Sequence, residues 1–226
     1  MKYADRMDLA RARADLYYFL GGLYSKPPSE GFLQQAKNEN FAQHLRHVFG
    51  RQASSMLRYL AQIGDVIQAQ RELKLEYDAL FRVPGVHYIH PYESVYRDRC
   101  SGEGITKPGL VWGESTAAVS RAYAQAGTQI SKETKELPDF IGLELNFMGF
   151  LCEGEAQAWE GENEEEAYRY RTLQKEFLSQ HLATWAYDLC RSQFDKARSD
   201  FYRGLARMTE SYIQEEEKGI ETTLSE

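Results

Sequence analysis

Residues 138–159 read PDFIGLELNFMGFLCEGEAQAW, and the distribution of apolar side chains along this stretch decides the fold. At 3.6 residues per turn, Ile141, Leu143, Leu145, Phe147, Met148, Phe150 and Leu151 almost surround the axis, and a helix that is hydrophobic on every side belongs in an interior. Pro138 and Asp139 suit its first turn, where proline loses no hydrogen bond and a carboxylate meets the positive end of the helix dipole. The most apolar part, Phe140 to Cys152, contains Glu144 and Asn146. It is shorter and more polar than the roughly 20 residues that span a bilayer. The stretch therefore predicts a central helix of a water-exposed bundle, with no membrane insertion.

Working outward, the flanking segments carry the same period. Leu9, Ala12, Leu16, Phe19, Leu20 and Leu23 share one helical face, and Pro27 and Pro28 stop that helix. From about Ser54, the series Met56, Leu57, Leu60, Ile63, Ile67, Leu73, Tyr77, Leu80 and Phe81 predicts one long helix or two in line. It ends before Pro84, and the polar run Gln68 to Glu72 is its weakest point. A helix from about Ser115 to Ala126 precedes Gly127, which suits the left-handed C-cap position.

Lys132 to Leu137 reads as a connector and Glu160 to Glu166 as a solvated turn. Two more amphipathic helices carry Leu173, Phe177, Leu178, Leu182, Trp185 and Leu189, then Phe194, Ala197, Phe201, Leu205, Met208 and Tyr212. The charged end, Glu215 to Glu226, is expected to fray. Between these elements, Arg82 to Gly109 holds Pro84, Pro91 and Pro108 with Gly85, Gly102, Gly104 and Gly109. That density predicts a long loop of functional character. No alternating apolar run is flanked by hairpin turns. The expected fold is all-α, a compact bundle of two apposed helical halves joined by a hinge. It forms one domain over 1–226, with approximate halves 1–131 and 138–226 and a connector at 132–137.

Composition narrows the function. A net charge of −7 over 226 residues argues against nucleic acid, whose phosphates need clustered Lys and Arg, and favours basic partners. The 15 Tyr and 11 Phe exceed what a bundle of this size ordinarily carries and can serve a core or a groove. Cys100, Cys152 and Cys190 form neither a disulfide framework nor a CxxC pair, so they read as reduced thiols in the cytoplasm. Asp5, Asp8 and Asp15 interrupt the stretch that an export signal would need to be apolar, so the first residues are expected to be a mature helix.

The sequence carries no complete catalytic or metal-binding motif. His44 with His47, and His87 with His90, form HxxH pairs, but no cysteine lies near either and a metal needs three or four ligands. No histidine has Glu three residues before it, as a di-iron bundle requires, and HExxH and GxSxG are absent. Gly102-Glu103-Gly104-Ile105-Thr106-Lys107 lacks the GxxxxGK[ST] spacing of a phosphate loop. Runs of Glu read as solvated faces. The chain is expected to have no catalytic residue, no metal and no cofactor.

Four stretches in this order resemble the TorD/DmsD/NarJ family of redox-enzyme maturation chaperones. They are Leu75-Glu-Tyr-Asp-Ala-Leu-Phe81 with Pro84, then Pro91-Tyr-Glu-Ser-Val-Tyr96, then Pro138-Asp-Phe-Ile-Gly-Leu-Glu-Leu-Asn-Phe-Met148, and Phe177-Leu-Ser-Gln-His-Leu-Ala-Thr-Trp185. The resemblance spans almost the whole chain. It implies an all-helical cytoplasmic protein that binds the catalytic subunit precursor of a molybdenum oxidoreductase, often at a twin-arginine leader, until its molybdopterin cofactor is inserted. It also implies a monomer or a helix-swapped dimer. The family's Pro-Asp-His motif aligns with Pro138, Asp139 and Phe140, so any contact made by that histidine is absent here.

The residues themselves suggest an amphipathic groove, lined by aromatic rings and edged by carboxylates, for a segment with two arginines followed by an apolar run. The candidate binding residues are Tyr92, Glu93, Tyr96, Trp112, Pro138, Asp139, Phe140 and Glu144. Two other readings are a GTP-binding or hydrolysing helical protein, against which the missing phosphate loop counts, and a structural adaptor subunit, which would expose a large apolar patch.

Overall fold

Local capping side chains open several helices in the computed structural model, which describes residues 2–98, 100–102, 105–107 and 112–223. Helix α1 spans Tyr3–Ser25. Ser29 accepts the Phe32 N–H to open α2, Glu30–Ala36, and Asn38 accepts the Asn40 N–H to open α3, Glu39–Phe49; each satisfies a donor that the first turn leaves unpaired. A 3₁₀ turn, Gly50–Ala53, leads into α4, Ser54–Gln62, and Asp65 then caps Ile67 and Gln68 of α5, Val66–Phe81.

The break in the expected long helix thus falls at Ile63 to Asp65 and not in the polar run 68–72. A capping aspartate ends a helical run more decisively than solvated side chains do.

The proline-rich segment is less irregular than its composition predicts. It holds α6, Glu93–Arg97, and a short antiparallel hairpin, β1 Cys100–Gly102 and β2 Ile105–Lys107. Helix α7, Glu114–Gln125, closes at Gly127 with φ +79°, as its sequence predicts. The central helix α8 is Ile141–Glu160, so Pro138 and Asp139 precede it and do not form its first turn. Helix α9, Glu164–Phe177, opens on Asn163 and runs through a π turn, Leu178–Leu182, into α10, Ala183–Lys196. Finally α11, Asp200–Thr223, carries helix through the charged end expected to fray, and Glu216 within it is buried.

Contacts gather these elements into two units, and neither follows the division into 1–131 and 138–226. One unit takes the segment ending at Tyr24, Tyr92–Ala186 and the segment from Glu217; the other takes Ser25–Pro91 and Tyr187–Glu216.

The first unit is built around α8, whose buried residues lie on every face, from Ile141 and Leu145 to Phe147, Met148 and Leu151. A Cβ on Gly149 would lie 2.9 Å from the Tyr18 ring, so the absence of a side chain there lets α1 approach closely and explains why the N-terminal helix joins this unit. A polar clamp adds direction to the packing. Buried Glu155 accepts Arg13 Nη1 at 3.2 Å, Gln174 Nε2 at 2.9 Å and Trp159 Nε1 at 3.1 Å. It thereby ties α1 and α9 to α8 with its charge compensated.

In the second unit, Tyr77, Phe81, Phe201 and Tyr202 form a linked set of ring contacts. The Tyr202 hydroxyl donates to the Leu73 carbonyl at 3.0 Å, and Gln193 Nε2 donates to the Tyr202 carbonyl at 2.8 Å. Glu76 accepts the Arg198 and Ser199 N–H groups at 2.6 and 2.9 Å, holding the turn before α11. Here the His87 ring meets the Lys196 carbonyl at 3.0 Å. Cys152 and Cys190 are buried and in no disulfide among the described residues. Among the described residues, no helix is long and apolar enough to cross a membrane.

Candidate functional site

Three of the four stretches singled out in the sequence meet in the first unit, and Asp139 joins two of them. Helix α6 begins at Tyr92 with no side-chain cap of its own. The Asp139 carbonyl accepts the Glu93 N–H at 3.0 Å and its carboxylate accepts the Ser94 N–H at 2.9 Å. Asp139 therefore caps α6 across 45 residues; it does not serve the dipole of its own helix. An isolated antiparallel bridge pairs Tyr92 with Phe140, and their rings lie 5.8 Å apart. The Tyr92 hydroxyl donates to Glu136 at 2.7 Å, and the Tyr123 hydroxyl donates to the Pro138 carbonyl at 2.8 Å. Asp98 does for α7 what Asp139 does for α6, accepting the Ser115 N–H at 3.1 Å and its hydroxyl at 2.6 Å.

Behind these caps lie three carboxylates, Glu93, Asp139 and Glu144, each 0 % exposed. Glu93 is held by the His181 ring, with Nδ1 at 3.1 and 3.2 Å from its two oxygens, and by Arg97 Nη1. The Trp185 indole N–H donates to Glu144 Oε2 at 3.1 Å. Glu144 Oε1 and Asp139 Oδ1 receive no donor among the described residues.

Burial, then the charge of Glu93, and after them Asp139, push the pKa of Glu144 well above the usual carboxylate range; the Trp185 bond opposes this. The protonated form of Glu144 is thereby favoured, and its proton faces Glu93. A protonated acid needs no donor at that oxygen. Burial, and next Glu144, Asp139 and Glu93, also raise the Tyr123 hydroxyl well above its ordinary value.

An open cleft of about 490 Å³ adjoins this cluster, lined by Arg97, Asp98, Glu114, Ser115, His181 and Thr184 among others. A second, more apolar groove of about 230 Å³ lies against Tyr123, Leu143, Phe147 and Phe150. The unit therefore offers a charged cleft and an aromatic groove.

Of the expected binding residues, the structure brings together Tyr92, Glu93, Pro138, Asp139, Phe140 and Glu144, with the Tyr96 ring 5.4 Å from that of Trp185 and tilted by 37°. The carboxylates do not edge a groove. Glu144 is carried inside by a helix buried on all sides, and Asp139 and Glu93 are engaged in capping and in the His181 contact. Trp112 stands apart, 75 % exposed, at φ +74°, a left-handed conformation that costs a bulky residue energy.

The site residues not anticipated are Arg97, Asp98 and His181. His181 was legible as a polar residue amid Leu178, Leu182 and Trp185, and Arg97 as the residue four after Glu93. Of the stretch Gly102 to Lys107, which lacks the phosphate-loop spacing, Gly102 and Ile105–Lys107 belong to the hairpin, and Glu103 and Gly104 lie outside the described residues. No group of three or more His, Cys, Asp or Glu suited to a metal ion occurs among the described residues.

Residues 49–191 match the family model described as nitrate reductase delta subunit. The chain belongs to that family. Its members include the TorD/DmsD/NarJ maturation chaperones to which the four stretches point, so the resemblance holds. The chain is 25% identical over 225 residues to the chaperone protein TorD of Vibrio cholerae, covering 96% of each chain. It is 24% identical over 224 residues to that of Shewanella pealeana, covering 95% of this chain and 92% of the relative.

Among solved structures, a candidate redox enzyme maturation protein from Archaeoglobus fulgidus aligns with a TM-score of 0.50 at 19% identity, covering 89% of this chain and 93% of that one. This likeness supports the all-helical fold. The relatives carry the names of chaperones, in keeping with a family member that is not an enzyme.

Proposed function

We propose that this protein is a cytoplasmic, system-specific chaperone that binds the precursor of a molybdopterin-containing oxidoreductase subunit, as relatives often do at its N-terminal leader, and holds it for cofactor insertion before export or assembly. The observation that carries the reading is the convergence of Glu93, Asp139 and Glu144 with His181 and Trp185. Three stretches well separated in the sequence supply one buried acidic cluster beside an open cleft. Capping accounts for Asp139, but desolvation makes the other two buried carboxylates costly, which supports a role beyond packing. A charged cleft and a separate aromatic groove suit a segment that presents basic residues and an apolar run.

The test is capture from anaerobically grown cells. The tagged protein is expected to retain the cofactor-free precursor of a molybdenum oxidoreductase subunit, identified by mass spectrometry. Retention of the mature, cofactor-loaded enzyme in equal amount, or of no such subunit, contradicts the proposal.

A further inference from the structure

The contact between Arg97 and its two acceptors is unequal. On the acceptor side everything is fixed. Glu93 is fully buried and held by His181. The Gln180 carbonyl lies within the π turn, where the backbone departs from the i→i+4 ladder, a distortion that recurs at functional sites. On the donor side little is fixed. Both bonds come from one atom, Arg97 Nη1, to Glu93 Oε1 and to the Gln180 carbonyl at 2.6 Å. The Arg97 side chain is 38% exposed, and its Nε and Nη2 make no bond among the described residues.

A guanidinium has five N–H donors in a rigid fork and binds a carboxylate best with two parallel bonds. Arg97 uses a fraction of that capacity, at the mouth of a cleft that also holds Asp98 and the exposed Glu114.

We infer that Arg97 is an internal stand-in: it occupies a guanidinium site, made of Glu93 and the Gln180 carbonyl, that an arginine of the bound segment takes over when Arg97 swings out. This rests on the function proposed above and specifies the residue that competes for its site. Without a cation Glu93 would be a buried, half-compensated charge, so Arg97 protects the empty protein. The cost is affinity, because the incoming arginine must displace a resident one. A lysine in the segment would make the same charge contact without the fork and bind more weakly.

The test is a fluorescence-anisotropy titration with two labelled decapeptides, one carrying two adjacent arginines ahead of four leucines and one with citrulline in place of both arginines. R97Q is expected to bind the arginine peptide about tenfold more tightly than the parent, while the citrulline peptide changes by less than about twofold. E93Q in the R97Q background is expected to abolish the gain. R97K keeps a charge against Glu93 and so guards the fold; its single ammonium holds the two acceptors less well, and a gain of about two- to threefold is expected. It decides the matter if R97Q loses helix content.

An unchanged or weaker affinity of these variants for the arginine peptide overturns the inference, as does an equal gain for the citrulline peptide or the absence of binding by any variant. Capture of a precursor by the parent chain tests the wider function separately, so the two failures are distinguishable.

Discussion

At the scale of single residues, Glu144 is the group whose protonation links stability to pH. Its folded pKa lies well above the ordinary 4.5. The folded state therefore holds a proton that the unfolded chain gives up, and stability falls as pH rises from about 4.5 toward the folded value. Glu144→Gln keeps an acceptor for Trp185 and a donor for Glu93 but cannot ionise. Urea denaturation at pH 5 and pH 7 is expected to show the stability of E144Q improving relative to the parent by up to about 1.4 kcal/mol per pH unit; a constant difference would place a charged Glu144 in the folded protein.

Asp139→Ala leaves the Ser94 N–H buried without an acceptor and is expected to cost about 1–3 kcal/mol in the same assay, with Asp139→Asn costing less. That Glu144 is special was legible, because it interrupts a helix otherwise apolar all round. Its burial beside two other carboxylates was not. The bond from Asp139 to Ser94 crosses 45 residues of chain, and nothing in local periodicity reports a cap supplied from that distance.

Helices as elements were largely legible, and their ends less so. The 3.6-residue period located α1, α7, α8 and α11, since burial of one face imposes it. It could not locate Asp65 as a helix start, because the apolar series continues in phase across the break. It also missed α2, a two-turn helix too short to display a period. Small residues add a constraint that pattern alone hides.

In α11, a Cβ on Gly204 would lie 2.5 Å from the Met56 nitrogen and 3.0 Å from its Cα, and backbone cannot step aside as a side-chain tip can. In α1, Gly22 has nothing within 4 Å. Gly204→Ala is expected to destabilise by about 1–3 kcal/mol despite alanine's better helix propensity. Gly22→Ala is expected to stabilise by about 0.5–1 kcal/mol. Denaturation midpoints of the two variants, moving in opposite directions, check the pair.

For the whole molecule, charge and apolar surface make separable contributions to binding. The net charge of −7 and the carboxylates at the cleft favour a basic segment. Raising salt from 0.1 M to 1 M shortens the Debye length from about 10 Å to about 3 Å. Affinity for the arginine peptide is expected to fall over that range, and truncating its leucines is expected to cost more, since desolvated apolar surface outweighs screened ion pairs. Affinity independent of salt would make the acidic surface a bystander. Fold class was legible here and the partition of the chain was not, because helical period says which face is buried and is silent on which distant helix buries it.

The interleaving of the two units bears on the time course of synthesis. Between the end of α1 at Ser25 and the start of α8 at Ile141 lie 115 residues. A ribosome adding about 5–20 residues per second takes roughly 6–23 s to cover them. Throughout that interval the apolar face of α1 has emerged and the helix that covers it has not been made. A nascent chain stalled at residue 131 would leave this face open to trigger factor or to a neighbouring nascent chain, and one stalled beyond residue 186 would not. A protein proposed to shelter another's unfinished chain thus has an unsheltered interval of its own.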